Sequence, residues 1–169
     1  MHVILIAHNL RSSHNAGSLL RTAEGLGVEK VYLSGYTPYP ETSDDPRLPH
    51  IRQKIAAQIH KTALGAEKTL PWEQVPDIDP LLDTLKSQGY TIAGLEQTAT
   101  AQPLPSYKPP EKLALIVGRE VEGIEPEVLA QTDLQLVIPM FGQKESFNVV
   151  QAAAMALYQV KFAPKFDIV

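Results

Sequence analysis

The feature that most constrains this chain is the alternation of short Val/Ile/Leu-rich runs with stretches of helical spacing. "HVILIA" (2–7) reads as a strand, and the spacing of Leu19, Leu20, Ala23 and Leu26 predicts a helix over 15–27. "KVYLSG" (30–35) is a second strand, followed by the Pro-rich polar loop "YTPYPETSDDPRLP" and a helix around 51–60. A helix over 79–89 closes on Gly89. Strand 90–96, strand 112–118, a short helix 125–131, strand 134–140 and a long helix 146–162 complete the series. Strands that are apolar throughout are covered on both faces, so the expected fold is α/β, a mostly parallel sheet flanked by helices. A length of 169 residues with 44% hydrophobic content supports one core, hence a single domain over 1–169. "TATAQPLPSYKPPEK" (98–112) reads as a surface connection within it.

Several chemistries are excluded. The sequence has no cysteine, which removes disulfides, thiolate metal sites and a catalytic thiol, and suits a reducing cytosol. No apolar run reaches membrane length, and "MHVILIAHN" lacks the flanks of a signal peptide, so a soluble cytoplasmic protein is expected. There is no G-x-G-x-x-G after the first strand, and "GREVEGIE" carries Ile124 where a phosphate-binding loop needs Lys. No H-E-x-x-H or His/Asp cluster predicts a metal, and no G-x-S-x-G elbow predicts a hydrolase. The net charge of −4 argues against a surface coated in nucleic acid. Locally, however, Arg47, Arg52, Lys54, Lys61 and Lys68 cluster against Glu67 alone. That run is either a solvated helix face or a phosphate-contacting patch.

Ligands of parallel α/β sheets sit beyond the carboxyl ends of the strands. Three loops leave such ends with unusual residues: "HNLRSSHNAG", "GREVEG" and "MFGQKESFN". They carry, or lead into helices carrying, Asn15, Arg21, Glu120, Ser146 and Asn148. Each has an ordinary explanation. Asn15 and Ser146 suit helix N-caps, Arg21 suits a cation snorkelling beside the core, and Glu120 suits a partner for Arg119. Gly118 and Gly123 suit a tight turn. As a set they describe a glycine-bounded loop beside charged groups aimed at one ligand.

The set resembles the three motifs of the SpoU/TrmH branch of the SPOUT RNA methyltransferases. "NAGSLLR" is similar to the first motif, with Asn15, Gly17 and Arg21 in place; "IVGREVEGIEPEVL" to the second, with Gly118, Glu120 and Gly123; and "IPMFGQKESFNVVQAAAMALY" to the third, with Ile138, Pro139, Ser146 and Asn148. Motif order and spacing are kept from the first strand to the last helix. Arg119 stands where the family usually has Asn, and Phe147 where it usually has Leu.

The resemblance implies S-adenosylmethionine-dependent methylation of a ribose 2′-oxygen in tRNA or rRNA, tRNA the more so, without metal. The alternative is a non-catalytic RNA-binding or scaffold protein that keeps the fold. The resemblance also implies a C-terminal deep trefoil knot and a homodimer whose active sites draw on both subunits. The cofactor is expected near Leu95, Gly118, Ile138 and Phe147. Arg21 is expected to face that cleft and stabilise the attacking oxygen, with Glu120, Ser146 and Asn148 positioning it and the ribose, and Asn15 fixing the loop. No added RNA-binding domain is expected, which leaves RNA recognition to the core domain, a partner copy or another protein. "AAAMAL" (152–157) suits either a subunit interface or packing of small residues inside the chain.

Overall fold

The computed structural model describes residues 1–162; 163–169, the end of the expected domain, lie outside the described residues. Seven strands form one sheet in the order β3-β2-β1-β6-β4-β7-β5, with every pairing parallel. They are β1 (His2–His8), β2 (Lys30–Ser34), β3 (Trp72–Val75), β4 (Thr91–Leu95), β5 (Gln102–Pro103), β6 (Lys112–Val117) and β7 (Leu134–Val137). The helices are α1 (Ser13–Gly25), α2 (Pro49–Ala63), α3 (Ala66–Thr69), α4 (Ile78–Ser87), α5 (Pro126–Leu129) and α6 (Val149–Phe162).

Side chains alternate across the sheet, and both faces are buried. Val3, Leu5, Leu113 and Leu115 join the core under α1, α2 and α6. Ile4, Ile6, Ala114 and Ile116 join Leu81, Leu82 and Leu85 of α4 and Val128 of α5 on the other face. This two-sided burial is why the central strands read as continuous apolar runs.

The N-cap of α1 is Ser12, whose hydroxyl accepts from Asn15 N at 3.2 Å, so Asn15 is not the cap. Ala16, Leu19, Leu20 and Ala23 bury the inner face. Burial of a leucine contributes roughly 2 kcal/mol against about 1 kcal/mol for a cap, so the apolar stripe fixes where this helix lies. Gly17 answers to α2. A Cβ there would fall 2.3 Å from the Ile59 carbonyl oxygen and 2.3 Å from Thr62 Oγ1. Its absence lets the two helices touch, and Thr62 Oγ1 donates to His14 O at 2.8 Å.

The structure differs from the sequence pattern in four places. α3 and β3 follow α2 where no element was expected. The 98–112 connection holds the two-residue edge strand β5 and a 3-10 turn that buries Leu104. β7 stops at Val137, so Ile138, Pro139 and Met140 lie beyond the sheet. α6 begins at Val149 rather than 146, and the Asn148 side-chain oxygen accepts from Val150 N at 2.9 Å. Asn148, not Ser146, therefore fills the N-cap position.

Candidate active site

The strand register sets up the site. Ala7 is level with Val117, and Leu95 with Leu136, so β1, β6, β4 and β7 end near one another. A cleft opens between the segments that follow β4, β6 and β7. Leu95, Gly118, Ile138 and Phe147 all line it, as do Glu120 and Ser146. Among the described residues its acidic members are Glu96, Glu120 and Glu122, and its one cation is Arg119.

The segment after β6 is a tight backbone hairpin. Arg119 N donates to Gly123 O and Gly123 N to Arg119 O, both at 3.2 Å. A Cβ on Gly118 would sit 2.6 Å from the Gly123 carbonyl carbon and from Ile124 N. Gly118 is thus required by the packing of its own hairpin, before any ligand is considered. Gly123 has φ +72, and a Cβ there would meet Glu96 Oε2 at 2.1 Å. Glu96 pins the far side of the hairpin by accepting from Ile124 N at 2.8 Å.

Glu120 joins this hairpin to the start of α1. Its carboxylate accepts from Arg11 N and Ser12 N, both at 3.1 Å, and from Asn15 Nδ2 at 3.0 Å. A carboxylate belongs there, because the unpaired N–H groups and dipole at a helix N-terminus favour negative charge. Burial opposes ionisation of Glu120, but the hydrogen bonds from Asn15 and the Arg11 and Ser12 backbone outweigh it. Its pKa lies below the usual carboxylate range.

The fold and the three loops now specify a family. The SpoU rRNA Methylase family model matches residues 2–158. The chain belongs to this family. Among its relatives, the 23S rRNA (guanosine(2553)-2'-O)-methyltransferase RlmP of Bacillus subtilis (strain 168) is 30% identical over 160 residues, 94% of this chain and 57% of that protein. The chain spans about three fifths of the length of the curated relatives it matches. The crystal structure of an A. aeolicus TrmH/SpoU tRNA modifying enzyme superposes with a TM-score of 0.76 at 24% identity, covering 93% of this chain and 72% of that one. The SpoU methyltransferase AviRb from Streptomyces viridochromogenes, in complex with AdoMet, gives 0.76 at 20% identity, covering 94% and 58%. At these identities the structural likeness establishes the α/β fold, a parallel sheet flanked by helices.

Not every SpoU motif residue meets at the cleft. Asn15 reaches it through Glu120. Asn148 is occupied at the start of α6 and does not line it. Arg21 is exposed and lies outside it, in a groove between α1, α2 and α6 with Ser18, Thr22, Lys61 and Tyr158. The expectation that Arg21 faces the cleft of its own chain is not met. From Asn15, the first turn of α1 approaches the cleft, whereas Arg21 projects from the third turn into the groove beside α2 and α6.

Sequence reasoning missed a second polar cluster behind the cleft. The Asn9 side-chain nitrogen donates to Glu125 Oε1 at 2.8 Å and lies 3.1 Å from His8 Nε2, while His8 Nδ1 lies 2.8 Å from Ser34 Oγ. Burial lowers the His8 pKa, against the Glu125 carboxylate, whose Oε2 lies 3.4 Å from Nε2 and acts in the opposite direction. The cluster ties β1 and β2 to the end of the hairpin. Asn9 carries the only advance signal, since Asn tolerates the left-handed conformation it adopts here at φ 55.

The basic segment divides in two. Arg47 stacks on Tyr39 at 3.7 Å, donates to Tyr39 O at 3.1 Å and to Pro40 O at 3.2 Å, and pairs with Asp45. Hydrogen bonds from Arg47 hold the Asp45 carboxyl well below the usual range. Arg52 pairs with Glu41 and donates to Asp45 O at 3.2 Å. These two arginines fasten the Pro-rich loop and do not form a free phosphate patch. Lys54, Lys61 and Lys68 remain exposed.

Glu120 gives the site a measurable pH dependence. Its folded-state pKa lies below the unfolded value, so its stabilising contribution is complete above about pH 4.5 and is lost as pH falls through the lower folded value. The stability difference between wild type and Glu120→Gln should therefore shrink as pH drops below that point in stepped urea titrations. A difference that stays constant with pH would contradict the clamp.

Proposed function

We propose that this SpoU-family chain transfers a methyl group from S-adenosylmethionine to a ribose 2′-oxygen of tRNA or rRNA. The observation that carries the reading is the cleft itself. The four residues expected around the cofactor line it together, beside a hairpin that excludes a Cβ at Gly118. The cleft's acidic balance suits a cationic sulfonium and opposes a polyphosphate, and Leu95, Ile138, Phe147 and Val149 offer apolar cover for a base.

S-adenosylmethionine, when bound, would supply an electrophilic methyl: the C–O bond would form as the S–CH3 bond breaks, with S-adenosylhomocysteine as the leaving group and the hydroxyl proton passing to solvent water. The chain's task is then to hold the hydroxyl oxygen in line and stabilise the charge that builds on it. Arg21 is our candidate for the second role, because a guanidinium is a permanently charged fork of N–H donors with no acceptor site to take up a proton. Arg21 lies outside its own chain's cleft, so the reading includes a homodimer in which Arg21 serves the cleft of the second copy. Exposed Met155 and Tyr158 on α6 are the apolar groups available for that contact. Ala153 and Ala156 are buried within the chain, so part of the small-residue stripe packs internally. The deep knot implied by the motifs belongs to the same reading, as does action in the cytoplasm.

S-adenosylmethionine should raise the thermal unfolding midpoint without added metal, because a ligand that binds only the folded state stabilises it. At a hundred times Kd the gain is about 2.7 kcal/mol. No shift at saturating cofactor, or one that requires a divalent ion, would overturn the cofactor assignment and favour a non-catalytic RNA-binding protein.

A further inference from the structure

The groove that holds Arg21 contains a second cation. Lys61 projects into it from α2, opposite Arg21, Ser18 and Thr22 of α1. Among the described residues its lining holds no carboxylate, and neither cation makes a side-chain hydrogen bond or ion pair. Glu24, one turn further along α1, shares a different depression with Arg21, against α3, and makes no ion pair with it. Elsewhere along α2, Arg52 pairs with Glu41 and His60 shares a hydrogen bond with Glu67, while Lys54 is exposed outside the groove. Two like charges left together in one groove of a chain with net charge −4 form a local positive field suited to an anion.

The chemistry of the substrate explains why there are two. A ribose 2′-oxygen is joined through C2′, C3′ and O3′ to the phosphate on its 3′ side. A site that stabilises negative charge on that oxygen must work beside a phosphate that is already charged. One cation cannot serve both without weakening its hold on the oxygen. We propose that Lys61 binds the phosphate on the 3′ side of the target ribose, leaving Arg21 for the 2′-oxygen. Ser18 and Thr22 line the same groove and offer further donors. Lys suits this role as a mobile point charge that tolerates any RNA sequence, whereas the oxygen beside it benefits from the planar fork of Arg. This assignment makes Lys61 a binding residue, and it rests on the methyltransferase reading above.

The test measures binding of unfractionated tRNA to Lys61→Gln across a series of salt concentrations, without requiring turnover. Phosphate contacts are sequence-independent, so a mixed RNA reports them. Removing one such contact should lower the slope of log K against log salt by about 0.7 and weaken binding on the order of tenfold at low salt. Lys61→Arg should restore both. Lys86→Gln, with the same loss of charge on α4 across the sheet, should leave the slope unchanged. Given a substrate RNA, the loss in Lys61→Gln should fall on KM rather than kcat. A slope equal to wild type in Lys61→Gln would overturn the phosphate assignment while leaving the methyltransferase reading intact. An equal fall in Lys86→Gln would reduce the effect to net charge and overturn it too. If the wild-type protein bound cofactor but no RNA at any salt, both the groove assignment and the RNA reading would fall.

Discussion

Arg21→Ala is expected to lower turnover by roughly a hundredfold or more, the effect of removing a donor from a developing oxyanion. Cofactor affinity should hardly change, because Arg21 lies outside its own chain's cleft and its interaction strengthens only in the transition state. Arg21→Lys keeps the charge but loses the planar fork and should rescue poorly. The pair also separates two mechanisms. Lysine gives up its proton far more readily than arginine, so a true general base would regain activity in the Lys variant as pH rises. A steep alkaline recovery would support the base and defeat the electrostatic role. Near wild-type turnover in the Ala variant would remove Arg21 from the chemistry. Mixing Arg21→Ala with a cleft-defective variant tests the proposed dimer. Sharing of sites between copies predicts that the mixture recovers activity neither variant has alone.

The second large effect is expected at Gly118. The methyl group of Gly118→Ala would fall 2.6 Å from the backbone of Gly123 and Ile124, where no flexible side chain can move aside. The hairpin must open or shift, and overpacking of this kind costs about 1–3 kcal/mol. Because the hairpin walls the cleft, most of that cost should appear as a loss of S-adenosylmethionine affinity of roughly tenfold to a hundredfold, read by calorimetry. Cooperative unfolding should persist, since the hairpin lies beyond the end of β6 rather than within the sheet. Unchanged cofactor affinity would mean that the hairpin is not part of the binding cradle.

The central strands were legible because burial on both faces leaves a continuous apolar run, as in β1 and β6. β3 was not legible. Trp72, Glu73, Gln74 and Val75 form an edge strand of mixed polarity whose place is fixed by pairing with β2, a contact between residues about forty apart. Helix cores were legible and helix starts were not. Ser12 and Asn15 are both good capping residues, and Asn15 was released for Glu120 only by a partner over a hundred positions away.

The same distinction holds at the site. Leu95, Gly118 and Ile138 line the cleft because they stand at or just beyond strand ends, which the sheet brings together, and Phe147 reaches it from the loop between β7 and α6. The orientation of Arg21 depends on which turn of α1 faces which layer, and local spacing does not determine this. The basic run misled for a related reason. Arg47 and Arg52 stand in the sequence as free charges, yet Asp45, Glu41 and the Tyr39 ring in the preceding loop hold them in the fold.

The most direct measurement incubates the purified protein with methyl-labelled S-adenosylmethionine and undermodified bacterial tRNA and rRNA, then digests the RNA and identifies the labelled nucleosides by mass spectrometry. The account predicts label on a ribose 2′-oxygen at a discrete position, present with wild type and lost with Arg21→Ala. Label on a base, or no transfer from a protein that binds both cofactor and RNA, would contradict it.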